Sequence, residues 1–274
     1  MSTNLWKKRI FRIICLCLLS FSINQAAVAV VAKSPVYPAQ AIDLICPWAE
    51  GGGSDRVARQ LAQCLEAELK QPVKVVNRAG GGGVVGHMAG ATAEPDGYTL
   101  LMLTTEIAMM HWTGLTVLDY RSFIPIALIN FDPAAILVRE DSKWDKLEEL
   151  IKTVKAKPGQ LHASGTAKGG IWDICMTGWL IASGLKENAI QWVASYGAEP
   201  ALRKLTTGQV EIVICSLPEA DSLIKAGKVR ALAVMNGKRD TRYPEVPTLQ
   251  EKGYSFANGA FRGIAVPIGT SPEI

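Results

Sequence analysis

From residue 41 to residue 235, short apolar runs alternate with longer segments of helical period, and this alternation constrains the fold more than any other feature of the chain. Apolar runs at 42–48, 72–77 and 98–105 have strand length, with a helical segment at 54–69 and a shorter one at 85–93 between them. In the first helical segment Val57, Ala58, Leu61, Leu65 and Leu69 fall on one face, the spacing of an amphipathic helix. Ser54 or Asp55 is suited to cap it, because a short side-chain oxygen satisfies N–H groups that the first turn leaves free. The pattern resumes with strands at 135–139, 161–164, 190–193, 210–216 and 229–235, and with helices at 146–156, 171–183, after Pro200 and up to Ala226. Strands alternating with helices build parallel or mixed sheets covered on both faces, so the class is α/β. Two such groups, parted near 120–135, predict two domains. At the end of the chain Ser271-Pro272-Glu273 reads as a helix opening: a cap, a proline at the first helical position, then an acid.

Three glycine-bearing loops, at 49–54, 80–86 and 165–170, each join a strand to a helix. Helix starts carry unpaired N–H groups and the positive end of the peptide dipoles, and glycine lets a ligand approach the backbone, so such loops suit anions. In open α/β sheets they gather at the carboxyl ends of the strands. The second loop also fits a rival pattern, because Gly81 to Gly86 matches G-x-G-x-x-G and Glu106 follows twenty residues later, as in dinucleotide-binding enzymes. Against it, Asn77-Arg78-Ala79 separates strand from glycine and Pro95 breaks the following helix. Other reacting groups do not assemble. His87, His111 and His162 lack metal spacing, Gly52 to Arg56 lacks the last glycine of a nucleophile elbow, and Glu148 with Glu149 suits a solvated helix face. The expectation is a binding protein, with no enzyme activity, metal or cofactor.

Residues 1–29 read as a secretory signal, with cleavage up to 32 allowed. Lys7, Lys8, Arg9 and Arg12 precede an apolar stretch too short to span a bilayer, and Ala27-Val28-Ala29 offers a cleavage site. Removing this segment takes away the formal +4 charge, since the rest of the chain balances 25 basic residues against 25 acidic ones. Neutrality removes the electrostatic case for nucleic acid or an anionic membrane. Cys46, Cys64, Cys175 and Cys215 lack zinc-ligand clustering; a disulfide in an oxidising compartment and burial of all four as small apolar side chains both stay open.

Taken in order, the loops resemble the substrate-binding proteins of tripartite tricarboxylate transporters, the Bug or TctC family. The resemblance runs through YPAQAIDLICPWAEGGGSDRVARQLA (37–62), PVKVVNRAGGGGVVG (72–86), PDGYTLLM (95–102), KPGQLHASG (157–165), YGAEPALRKLTTGQVEIV (196–213) and GKVRALAVMNGKRDTRYPEVPTLQEKGY (227–254). It implies a two-domain periplasmic-binding-protein fold of type II, a Venus flytrap, with residues 36–130 plus 255–274 in one domain and 131–254 in the other. It also implies an exported, periplasmic receptor that does not span the membrane after signal removal, captures a small carboxylate and works with membrane permease subunits. Some relatives serve sensing instead. Ala49, Glu50, Gly51, Gly52, Ser54 and Asp55 of the first loop, Gly82, Gly83 and Gly86 of the second, and Thr104 with Thr105 are expected at the ligand. From the other domain come Gly165, Thr166, Lys168, Gly169, Gly170, Asp173, Tyr196 and Pro200.

Two departures from that family stand out. Asp173 occupies a position where relatives of this subtype carry histidine. An ionised acid there opposes a nearby anion unless Lys168 pairs with it, and with Glu50 it tilts the expectation towards a zwitterion such as an amino acid over citrate. Relatives also continue past Gly269-Thr270-Ser271-Pro272 into helices, so a shortened, sensory or non-functional relative with bared apolar surface is a further expectation.

Overall fold

Val73–Asn77 (β2) and Ile42–Cys46 (β1) pair in parallel with Ile42 opposite Val73, and β1 pairs in parallel with Thr99–Thr104 (β3). A parallel neighbour requires a crossover. Gly53–Leu69 (α1) supplies the crossover from β1 to β2, and Val84–Ala91 (α2) the one from β2 to β3. The computed structural model describes residues 37–274; the expected signal segment lies outside the described residues. Pro38–Ile274 pack as one compact unit.

Phe123–Arg139 (β4), His162–Ser164 (β5), Gln191–Val193 (β6), Ile212–Ser216 (β7), Val229–Val234 (β8) and Gly259–Pro267 (β9) complete the sheet, whose order is β2-β1-β3-β9-β4-β7-β5-β6 with β8 pairing β4. Phe123–Arg139 (β4) is the long member at 17 residues. The sequence pattern predicts only 135–139 as strand, and the structure extends it back across Pro125 and Pro133, which lack the N–H a ladder uses. The strand accommodates the first proline through register shifts at Pro125/Ala127 and Leu128/Asn130 against its partner Gly259–Pro267 (β9). Along residues 123–133 β4 pairs with β9, and beyond that it pairs with Ile212–Ser216 (β7) and Val229–Val234 (β8). One strand therefore carries the chain from one half of the sheet to the other, while β9 returns it between β3 and β4.

The second half adds Leu147–Ala156 (α3), His162–Ser164 (β5), Ile171–Ala182 (α4), Gln191–Val193 (β6), Ala198–Thr206 (α5) and Leu217–Lys225 (α6). Its core gathers Leu147, Leu150, Ile151 and Val154 of α3 against Trp179, Leu180 and Ile214. Each such burial contributes about 1.5–3 kcal/mol before entropy is counted. A separate cluster under α1 joins Ile42, Leu44, Cys46, Ala58 and Met102.

Two local expectations change. Helix α1 starts at Gly53, with Gly52 as its N-cap and no cap from that residue's side chain, so Ser54 and Asp55 sit inside the first turn. The helix opening at 271–273 is present only as a turn. All four cysteines are free thiols, and Cys64 is exposed because it lies off the Ala58–Ala62 stripe that faces the core. Burial pushes the Cys46 thiol up to about 11.

Candidate functional site

Helices α1, α4 and α5 begin alike. Their N-caps are Gly52, Gly170 and Gly197, residues with no side chain of their own to cap with, although at α4 the Glu106 carboxylate takes the Ile171 amide. Helix α6 differs: the Glu219 carboxylate accepts from the Ser216 N–H at 3.2 Å, and the Ser216 hydroxyl also donates to it. The three glycine-capped starts border a chain of adjoining hollows. An outer one of about 510 Å³ lies between residues 49–53 and the start of α5. An inner one of about 60 Å³ shares Gly52, Gly53, Gly197, Ala198 and Glu219 with it. A third, of about 20 Å³, shares Trp48, Glu106 and Thr166 with the inner one and extends to Gly82 and Gly169.

Of the residues expected at the ligand, Ala49, Glu50, Gly51, Gly52, Ser54, Gly82, Thr104, Thr166, Lys168, Gly169, Gly170, Tyr196 and Pro200 line these hollows, whereas Asp55, Gly83, Gly86, Thr105, Gly165 and Asp173 do not. The second group holds the first in place. The Asp55 carboxylate accepts from the Gly51 N–H at 2.9 Å, from Asn77 at 2.9 Å and from Arg59 at 2.9 Å. Burial raises its pKa, but Arg59, Asn77 and Gly51 outweigh burial and hold it below the usual value. Asp173 repeats the device, accepting from the Gly169 N–H at 2.8 Å while Lys168 lies 3.1 Å away. Each loop amide thus faces an acid four residues on, which fixes the turn and uses one donor that a ligand would otherwise take.

Thr105 pins β9, its hydroxyl donating to the Phe261 carbonyl at 3.1 Å and accepting the Phe261 N–H at 2.6 Å. Gly86 permits close packing, since a Cβ there would strike Pro47, and a Cβ at Gly165 would lie 2.5 Å from the Ile214 carbonyl. Gly83 accepts from His87 Nδ1 at 2.8 Å, and His87 Nε2 accepts the Thr104 N–H at 3.3 Å. The ring is therefore a neutral bridge between the second loop and the end of β3. Burial lowers its pKa to about 4 despite the Gly83 bond.

Sequence reasoning missed the charges inside. Arg262 is buried on β9, where Nε donates to Ser54 Oγ at 2.9 Å and Nη1 to Asp132 at 2.6 Å. Glu219 Oε1 lies 3.9 Å from Nη2. Glu106, named above only as the acid that follows the glycine motif, accepts the Thr104 hydroxyl at 2.6 Å. Burial pushes the Glu106 and Glu219 carboxyls up, against the pull of Arg262. A lone arginine within the apolar run 259–267 was the visible trace of this cluster. Glu219 lies in the helical segment up to Ala226, where nothing local set it apart from a solvated acid.

Gly80 to Gly83 all have positive φ, from +57 to +134°, and helix α2 after them has only 8 residues. The run closes a short turn of its own, the Gly83 N–H donating to the Gly80 carbonyl at 3.0 Å, whereas a dinucleotide site passes from strand directly into its helix. Among the described residues no cluster suits a metal ion, and no helix is long and apolar enough to cross a membrane.

The model of the tripartite tricarboxylate transporter family receptor matches residues 57–274. BugT of Bordetella pertussis is 33% identical over 94% of this chain and 80% of its own. A TctC solute-binding protein from Polaromonas shares 34% identity, with a TM-score of 0.67 over 86% of this chain and 81% of that one. An R. palustris protein solved with adipate shares 27% identity, with a TM-score of 0.80 over 86% of this chain and 80% of that one. The chain therefore belongs to the Bug/TctC family of tripartite tricarboxylate transporter receptors, which bind solutes and are not enzymes.

Proposed function

We propose that the chain is an exported, periplasmic receptor that captures a small carboxylate, either a di- or tricarboxylate or an amino acid, and presents it to the membrane subunits of a tripartite transporter. The observation that carries this reading is the convergence of three glycine-capped helix starts, those of α1, α4 and α5, on adjoining hollows. First-turn amides not taken by a side chain, as at the starts of α1 and α5, retain donors for an anion, and the adipate in the R. palustris relative is an anion of the expected kind. Residues 36–130 with 255–274 act as one lobe and 131–254 as the other. The lobes close about the two chain crossings, where β4 passes Asp132 and where the chain enters β9 at Gly259.

Calorimetric titration of residues 30–274 with acetate, succinate, adipate, malate, citrate and the standard amino acids tests the reading. At least one of these binds, saturably and unchanged. Binding of none of them, or binding and oxidation of NADH, would replace the receptor reading. Mass spectrometry of the exported protein places its new N-terminus between residues 30 and 33.

A further inference from the structure

The inner hollow is lined by acids from both halves of the sheet. Glu106 follows β3, Glu219 stands in the first turn of α6, and Arg262, on β9, is the one cation lining the hollow among the described residues. That arginine is already committed to Ser54 and Asp132. Glu219 Oε1 stands beyond hydrogen-bond reach of it, at 3.9 Å, while Oε2 is held by Ser216. With Asp132 at 2.6 Å, two carboxyl groups stand within 4 Å of this one guanidinium, and the buried Glu106, whose donors are the Thr104 hydroxyl and the Ile171 amide, lines the same hollow. Such a cluster is short of positive charge, and a carboxyl without a counter-charge is expensive to bury ionised.

A second, independent feature faces the same place. Thr166 is only 4% exposed, and its Oγ1 has no hydrogen-bond partner. It lines both small hollows beside Glu106. A Cβ at Gly170 would come within 2.5 Å of that oxygen, so glycine there keeps the hydroxyl open. Buried hydroxyls without partners are rare in folded proteins, and this one can donate to a carboxylate. The uncapped amides at the start of α5 border the same hollow.

We infer that Glu106 and Glu219 form an ammonium-binding subsite and Thr166, with the start of α5, a carboxylate-binding one, so that the cleft selects α-amino acids over carboxylates lacking the amine. The two groups are both bonded to the Cα of an amino acid, which suits a hollow of about 60 Å³, and the side chain leads out towards the larger one of about 510 Å³. The inference rests on the receptor reading and narrows it. An ammonium supplies the charge that the cluster lacks, whereas a second carboxylate adds to the excess of acid.

The test is calorimetric titration of the mature chain with aspartate, glutamate, alanine and phenylalanine, each against its counterpart without the amine: succinate, glutarate, propionate and 3-phenylpropionate. The best amino acid binds at least tenfold more tightly than its counterpart. In Glu219→Gln and in Glu106→Gln that ratio falls at least fivefold while the melting temperature is retained. Should one variant not fold, the other and the wild-type ratio decide. Counterparts that bind as tightly as the amino acids overturn the inference but keep the receptor reading. A ratio unchanged in the folded variants overturns the assignment to these acids. Binding by no member of either series removes both.

Discussion

Gly53 is the first residue of α1 and has an ordinary helical backbone, since it is absent from the residues with positive φ. Alanine is therefore permitted there on conformational grounds, and inside a helix it is favoured over glycine by about 1 kcal/mol. The added methyl, however, would stand 2.7 Å from both Arg262 Nη2 and Glu219 Oε1. Ordinary carbon contacts lie near 3.5–4.0 Å, so one of these groups must yield by roughly 0.8 Å. Arg262 resists because Ser54 and Asp132 hold it on two sides. Displacing it weakens charge-assisted bonds worth about 1.5–3 kcal/mol each. Against the gain in helix propensity, the net loss of stability is about 1 kcal/mol, a fall of about 2–4 °C in melting temperature for a chain of this size. Ligand affinity suffers more, because the methyl also intrudes on the inner hollow; the expected loss is at least tenfold, or about 1.4 kcal/mol. Scanning calorimetry and titration with the tightest carboxylate of the panel measure both effects. Gly237→Ala, with nothing within 4 Å of the added carbon, leaves both values unchanged. A Gly53→Ala protein that folds and binds as tightly as the wild type would refute the placement of the ligand beside this pair.

Thr166→Val keeps the shape of the side chain and removes its unpartnered hydroxyl; affinity drops about fivefold to fiftyfold by titration, while the melting temperature holds or rises. Asp173→Asn releases the charge that Lys168 neutralises and weakens the grip on the Gly169 amide, so the variant is less stable by about 1 kcal/mol in urea. His87 is neutral in the fold with a pKa of about 4 against 6.5 ordinarily. Between those values the unfolded chain takes the proton and the folded one does not, so stability falls as the pH falls. From pH 7 to pH 4.5 the loss due to this residue is about 2–3 kcal/mol, and the difference in pH slope between wild type and His87→Asn in urea titrations reports it. Gly86→Ala drives a methyl into Pro47 and costs about 1–3 kcal/mol of stability by overpacking.

The order of strands and helices was legible because their residues follow local rules of period and punctuation. The early part of β4 was not, since Pro125 and Pro133 argue against a strand locally and only the partner β9 reveals why they are tolerated. The glycine loops announced themselves for the same local reason, and all three border the hollows, the one at 80–86 through Gly82. What each acid does within them was harder to read. Asp55 and Asp173 are close in sequence to the amides they hold, yet nothing in their spacing separates a loop-fixing acid from one facing a ligand. Arg262 was out of reach of local reasoning. Its partners Ser54, Asp132 and Glu219 lie between 43 and 208 positions away, and only the return of β9 beside β3 and β4 brings them together.

A crystal structure of the mature chain grown with its tightest-binding amino acid measures the account most directly. The account predicts the ligand carboxylate within hydrogen-bond distance of Thr166 Oγ1 and of the Ala198 amide, and its ammonium between Glu106 and Glu219. A ligand seated outside the hollows between α1, α4 and α5 would contradict it.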